Sequence, residues 1–524
     1  MPVFCQGSAV ERVRVAFMIR HSAALLALLL ALVLLWAPLP FGGVTPWAGA
    51  LQAALCFAAL ALAAVAAESA RTWRPAALPA AALAAIALLG LLQAAPLPAG
   101  LVAALSPAHA GLQRQAAELV GPSAAPEPAR LTLAAAATRG AALGWAAAAA
   151  ALLAAAAAGQ RREHRRWLGG AVLAGGLFQV FFGARDWFAH ASTLWGVDLH
   201  ATAVRLRGTF VNPNHLAAYL EMALAVAFAW SWWAVRRAVD EPRLERRLLL
   251  TAPPAMLWLT LFAGLSFTGS RAGLLAAIAA VSAQGVLAAG VRRRWWVAPL
   301  GALAALAGLG VVAAIGWREG LGRLLSTSAA DASLGARFQE YGAALELWRR
   351  FPVAGSGLGT FRDAFPLVQP ADLRGTWWHP HSDFLEVLVT AGVIGLALLA
   401  AGLWGLARRL AAVLREGSRS EDRAAALAAF GSLVSLAVHE CLDFGLSMPG
   451  NAVTLAVLLG AATAARTRER SAQLDGSRQD LGAVQALEHE HVEPAPKRRR
   501  NSKRRRGAGK RPDRKITHGR AVEP

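Results

Sequence analysis

Trp377-Trp378-His379-Pro380-His381-Ser382-Asp383 closes a polar segment that begins at Trp317, and it runs straight into the apolar stretch Phe384–Ala407. That stretch is long enough to cross the hydrocarbon of a bilayer, which takes about 20 residues as a helix. Runs of the same kind recur outward in both directions. Of the 524 residues 56% are hydrophobic and only 16% are charged, against about 25% charged in an ordinary soluble domain. A segment in lipid must satisfy its own backbone hydrogen bonds, so these runs are helices. The predicted class is therefore all-α, a polytopic transmembrane helical bundle. Alanine and leucine dominate the runs, which suits close packing through small residues. Cys5, Cys56 and Cys441 are scattered and offer neither a disulfide framework nor metal-ligand spacing.

The candidate spans are Ser22–Pro40, Val44–Ala67, Ala76–Ala95, Ala134–Ala158, Trp167–Trp187, Asn212–Val235, Leu248–Thr268, Arg271–Gly290, Trp295–Gly316, Phe384–Ala407, Ala424–Phe444 and Gly450–Ala465. That is about twelve by the length criterion. Alternate connections are basic: Arg71–Arg74, Arg161–Arg166, Arg236–Arg247, Arg292–Arg294, Arg408–Arg423 and Arg466–Arg470. The positive-inside rule places these, and both termini, in the cytoplasm. The segment 317–383 then becomes a large extracytoplasmic loop between spans 9 and 10. Residues 1–21 form a basic cytoplasmic lead with no cleavage site after it, so the first span is read as uncleaved. Residues 22–466 form the transmembrane domain and 467–524 a disordered basic cytoplasmic tail. The net charge of +21 comes partly from Lys497–Arg500 and Lys503–Arg506 in that tail. Such clusters favour anionic membrane lipids, so no nucleic-acid partner is expected.

Arginines on the outer side run against the charge bias. Arg205 and Arg207 precede Gly208-Thr209-Phe210-Val211-Asn212-Pro213-Asn214, and Arg271 follows Thr268-Gly269-Ser270 at the mouth of another span. A guanidinium fork suits phosphate oxygens; the alternative is an arginine snorkelling from a helix end. Asn212-Pro213-Asn214 also suits a plain helix start. Glu221 lies inside a span, where a carboxylate is costly, and an arginine of this cluster is one candidate partner. Histidine is suited to proton abstraction near neutral pH, so His379 and His381 are candidates for a general base. Asp383 or Glu386 would orient a ring. A metal site and a structural histidine are the other readings of His-Pro-His, though four convergent ligands are not evident. His439, Glu440 and Asp443 form a further polar group at an outer helix end.

Taken in order, Arg205…Gly208-Thr209-Phe210-Val211-Asn212-Pro213-Asn214, Ser270-Arg271, Pro352…Gly355-Ser356-Gly357-Leu358-Gly359-Thr360-Phe361 and His381-Ser382-Asp383-Phe384-Leu385 resemble the O-antigen ligase/polymerase superfamily. The resemblance spans roughly Arg205 to Asn451, with His439…Asp443…Asn451 also similar. It implies a metal-independent, inverting glycosyltransferase of the bacterial inner membrane, without a cofactor. The donor would be a glycan on undecaprenyl pyrophosphate. The acceptor would be lipid A-core, another glycan or a protein. The resemblance assigns pyrophosphate binding to Arg205 and Arg271 and matches Arg207 and Arg337 less closely; Asn214 and His379 are further candidate substrate-binding residues. It assigns the catalytic base to His381, although the chain has His-Ser where the family has His-Asn.

Within that class, a ligase, a polymerase and a protein O-oligosaccharyltransferase differ in acceptor, which loop shape decides. A polysaccharide or lipid transporter is the rival from another class. Transporters commonly show repeated halves and charges near the midplane. Here no repeat is visible and the charges gather at the outer ends of spans.

Overall fold

The computed structural model describes residues 9–67, 69–121, 128–199, 204–290, 332–417 and 419–466. The expected span Trp295–Gly316, the first part of the outer loop (317–331) and the tail 467–524 lie outside the described residues. Among the described residues the protein is helical almost throughout, with one short antiparallel hairpin, Thr193–Leu194 against Val197–Asp198. The helices are α1 (Ala9–Trp36), α2 (Pro46–Ala66), α3 (Ala77–Ala94), α4 (Ala99–Leu105), α5 (Pro107–Val120), α6 (Ala135–Ala158), α7 (Arg162–Phe188) and α8 (Pro213–Ala238). They continue as α9 (Leu244–Phe267), α10 (Arg271–Gly290), α11 (Ala332–Arg350), α12 (Phe361–Ala364), α13 (Asp383–Glu416), α14 (Ser420–His439) and α15 (Pro449–Thr463).

Among the described residues, 8 helices are long and apolar enough to cross a membrane, and His21–Trp36 and Pro449–Thr463 are shorter apolar helices. The protein is a multi-pass membrane protein. Helices end where the local chemistry says they should. α1 stops at Trp36, ahead of Pro38 and Pro40, because a proline disfavours helical geometry in the residue before it. α8 begins at Pro213 with Asn212 as its cap, the Asn212 side chain accepting from the Asn214 amide at 2.9 Å. α14 ends at His439, earlier than the apolar pattern suggested. Glu440–Met448 instead forms a turn held by Glu440, Asp443 and Asp383, whose side chains accept the amides of Gly445, Phe444 and Leu446.

α8 sits at the centre, with 67% of its apolar window buried, against 33% for α2 and α9. It packs against α7, α9, α10 and α14. The alanine-rich α6 fills the other side of the bundle against α2, α3 and α15. A Cβ on Gly460 of α15 would run into the Leu152 carbonyl of α6, so small residues set that approach.

α13 is not the uniform span that its sequence pattern suggests. It breaks at Gly392 (φ 66°, ψ −166°). A Cβ there would collide with the Val353 carbonyl. The freed backbone groups are taken up by the turn 352–357. Val393 N donates to Pro352 O at 3.0 Å, while Ser356 N and Gly357 N donate to Val389 O and Thr390 O, each at 3.0 Å. Irregular backbone at such a depth is tolerated only when protein satisfies it. Gln93 of α3 secures the same turn, donating to Ala354 O (2.6 Å) and accepting from Leu358 N (3.0 Å). The glycine-rich run at 355–359 is thereby a brace between loop and helix. It sets where His379 and His381 enter α13.

Candidate functional site

The ends of α7 (Phe188), α9 (Phe267) and α14 (His439) meet the starts of α8 (Pro213), α10 (Arg271), α13 (Asp383) and α15 (Pro449) at one end of the bundle. Arg205 is half-buried there and bridges two of these elements. Its Nε donates to Thr268 O at 2.6 Å and one terminal nitrogen to Asn214 Oδ1 at 2.8 Å. Leu206 N donates to Phe267 O at 3.0 Å, so the loop carrying Arg205 runs beside the Thr268–Arg271 turn. Arg271, also half-buried, opens α10 directly after Ser270, whose hydroxyl accepts the Gly273 amide at 3.2 Å. The two arginines singled out in the sequence thus share one corner. Arg207 points elsewhere. It is 5% exposed, donates to Ala191 O at 2.9 Å, and its Nε has no hydrogen-bond partner. Burial lowers its guanidinium from its ordinary value, and Asp186 opposes that.

Asp443 ties this corner to the outer loop. Its Oδ2 accepts from Asn214 Nδ2 at 2.6 Å and faces an Arg337 terminal nitrogen at 3.5 Å; its Oδ1 lies 3.7 Å from His381 Nδ1. Burial alone would raise the Asp443 carboxyl, but His381, His439 and Arg337 outweigh it, and the group stays below the usual carboxylate range. It is therefore a fixed negative charge near neutrality. Arg337 also donates to Leu442 O at 2.5 Å, and Tyr341 OH donates to His381 O at 2.9 Å. His381 has a left-handed backbone (φ 40°), unusual for a residue with a side chain. That conformation turns the chain into Ser382, which caps α13 and donates to Glu440 O at 2.9 Å.

His379 belongs to a second group. Its Nδ1 lies 2.7 Å from Glu386 Oε2, and its ring stacks on Phe444 with centroids 4.6 Å apart. His381 meets the same Phe444 edge-on at 64°. Burial pulls the His379 imidazole down, but the charge and hydrogen bond of Glu386 more than offset this, so it ends above its ordinary value. Asp383, considered as a ring-orienting carboxylate, instead binds the 446–447 turn, accepting from Leu446 N at 2.8 Å and Ser447 Oγ at 2.6 Å. His379, Asp383, Glu386, Glu440 and Ser447 all reach one end of a cavity of about 1030 Å³, whose other walls are apolar faces of α2, α3, α6, α13 and α15.

Two findings correct or extend the reading of single residues. Glu221 is paired with His439, not with an arginine: both are fully buried, with His439 Nδ1 2.5 Å from Glu221 Oε1. Glu340, which the sequence does not distinguish from any loop glutamate, is fully buried on α11, and neither oxygen has a hydrogen-bond partner. Burial, opposed by Arg337 and aided by Asp443, pushes its carboxyl up to about 8. A raised carboxyl works against folding as pH rises. Between its ordinary 4.5 and about 8 the unfolded chain has already lost the proton that the folded chain keeps. Stability therefore falls through that window and levels off above it, by up to about 1.4 kcal/mol per pH unit. Glu340→Gln is expected to melt like the parent near pH 4 and several degrees higher at pH 9. Thermal melts at both pH values check this; a difference that does not grow with pH rules out a neutral buried carboxyl.

No group of three or more His, Cys, Asp or Glu side chains set to hold a metal ion occurs among the described residues. No curated protein matches the chain. A family model described as O-Antigen ligase matches residues 255–400, which include Arg271, Arg337, His379 and His381 but not Arg205, Asn214 or Asp443. Over that segment the chain is similar to the O-antigen ligase superfamily, and the match supports the resemblance read from the sequence.

Proposed function

We propose that the protein transfers a glycan from undecaprenyl pyrophosphate to an acceptor hydroxyl, as an O-antigen ligase does, without a metal and with inversion at the sugar carbon. The supporting observation is the bridge made by Asp443, which joins His381 and Arg337 of the loop to Asn214 and, through it, Arg205. A base and phosphate-type donors are thereby held in one network. In the proposed step His381 takes the proton of the acceptor hydroxyl. The acceptor oxygen bonds to the anomeric carbon as its bond to the pyrophosphate oxygen breaks. Arg205 and Arg271 neutralise the charge that develops on the leaving pyrophosphate, a preorganised stabilisation. Asp443 holds the imidazolium that forms, and water then removes its proton. Arg337 is proposed to hold the glycan or phosphate from the loop side and His379 to contact the acceptor at the polar end of the large cavity, while Arg207, which donates to Ala191 O away from this network, takes no part in the proposed step. The apolar walls of that cavity suit a substrate with a lipid part.

A transfer assay with purified protein, lipid-pyrophosphate glycan and lipid A-core tests this reading. Product formed without added metal and unaffected by chelator supports it; a chelator-sensitive reaction overturns the metal-free step. The glycan profile of a deletion strain then separates the acceptors. Loss of capped lipid A-core with intact chain length indicates a ligase, and single repeat units on the core indicate a polymerase.

We also propose the topology of about twelve spans, with 317–383 outside in the periplasm, both termini inside, and 467–524 as a cytoplasmic tail. Reporter fusions after Glu340 and after Glu416 are expected to report outside and inside. The same side for both sinks this arrangement.

A further inference from the structure

At the end of the bundle opposite the candidate site, six side chains line a separate cavity of about 260 Å³: Gln160, Arg161, Arg162, Arg165, Asp422 and Arg466. α7 separates the two ends. Its 27 residues span about 40 Å at 1.5 Å per residue. Four guanidinium groups face one carboxylate here. Asp422 is fully buried and holds Arg165 at 2.5 Å and Arg162 at 3.1 Å. A further nitrogen of Arg165 donates to Gly159 O at 2.5 Å. The one carboxylate cannot balance Arg161 and Arg466 as well. Among the described residues the other nearby carboxylates lie elsewhere: Glu421 faces Arg166 at 3.4 Å, outside the cavity, and Glu163 is exposed. Arg161 is also the N-cap residue of α7 and makes no side-chain cap bond. The first amides of a long helix open at this place, adding the positive end of its dipole.

We propose that this cavity binds a phosphate-bearing anion, and that its source is the headgroup of an anionic phospholipid. The volume has room for several waters at about 30 Å³ each, enough for a phosphate with part of its hydration. The surroundings favour lipid over a free ion. Arg166 and Arg237 lie over the Trp233 ring at 6.0 and 5.1 Å, and Trp167, next to the cavity arginines in sequence, is 42% exposed. Exposed tryptophan beside arginine marks the headgroup level of a membrane. Basic pockets between spans at that level suit anionic headgroups. The site would tie α6, α7 and α14 to the leaflet opposite the glycan chemistry.

The test uses the purified full chain, incubated with phosphatidylglycerol or phosphatidylcholine and read by native mass spectrometry. Inorganic phosphate is titrated in a separate arm. The Arg161→Ala/Arg466→Ala variant removes the two guanidinium groups that do not hold Asp422. The parent is expected to retain phosphatidylglycerol in preference to phosphatidylcholine, and the variant to lose roughly tenfold or more of that affinity. Arg161→Lys/Arg466→Lys, which keeps the charge, should recover most of it and covers the case that the alanine variant folds poorly. Saturable inorganic phosphate binding with the same dependence on the variants, and no lipid preference, would keep the anion site and overturn the lipid source. Equal retention by the parent and the alanine variant, or no anion binding in either arm, overturns the site itself.

Discussion

His381→Ala is expected to lower transfer by roughly 10²–10⁴-fold, the usual contribution of a positioned general base. Binding of the lipid-pyrophosphate donor should change little. The two histidines join different networks. His381 lies 3.7 Å from Asp443, the same carboxylate that faces Arg337 and binds Asn214. His379 is hydrogen-bonded to Glu386 at 2.7 Å and opens onto the large cavity. A base must reach the proton that it removes while the leaving group stays on the proposed phosphate-binding side, and His381 is the ring tied to that side through Asp443. His379 is held above its ordinary value by Glu386, which lowers the share of the proton-accepting form. His379→Ala should therefore raise KM for the acceptor more than it lowers kcat. Steady-state assays of both variants with donor binding measured separately decide the matter. A dead His379→Ala beside an active His381→Ala would reverse the two roles.

Asp443→Asn offers a companion measurement, because it keeps the shape and removes the charge. Without that charge the imidazolium proposed to form during transfer loses its counter-charge, and kcat should fall. An unchanged kcat in a folded Asp443→Asn variant would make Asp443 a purely structural tie.

Much of the architecture is legible in the sequence because apolar length is a local property. The helices α2, α3, α6, α7, α8, α9 and α10 lie where the runs from Val44 to Gly290 place them. Other features depend on partners far along the chain. The break in α13 at Gly392 exists because the turn 352–357 supplies the hydrogen bonds that the helix gives up, and no pattern within Phe384–Ala407 announces that. Asp443 is one carboxylate in a polar turn until α8 brings Asn214 to it across 229 positions. Glu221 reads as an intramembrane charge in need of a cation, yet its partner His439 sits at the end of α14. Glu340 carries no signal in the sequence, since its burial comes from how α11 packs. The clues available were compositional: arginines on the wrong side of the charge bias, and carboxylates inside or beside apolar runs. They pointed to Arg205, Arg271, Glu221 and Asp443, but not to how these residues pair.

Arg205→Ala is expected to reduce transfer by at least roughly 10²–10³-fold, the cost of removing one preorganised donor to a developing anion. Its guanidinium is held from Nε to Thr268 O and from a terminal nitrogen to Asn214 Oδ1. They hold the fork in one plane beside the turn that leads into Arg271. Alanine removes the charge and also frees Asn214, whose amide then has only Asp443 to position it. Arg205→Lys should restore little, because one ammonium cannot span both acceptors and present a second donor to phosphate. The structural explanation predicts otherwise. If Arg205 serves only to pin its loop to the Thr268 turn, alanine should lower the melting temperature and leave donor affinity unchanged in the protein that stays folded. The phosphate role predicts weaker binding of a non-transferable lipid pyrophosphate and lost turnover, at a melting temperature that falls little. Membrane insertion, donor affinity and turnover measured on Arg205→Ala, Arg205→Lys and Arg271→Ala separate the two cases. Full turnover in both alanine variants would remove pyrophosphate binding from this corner altogether.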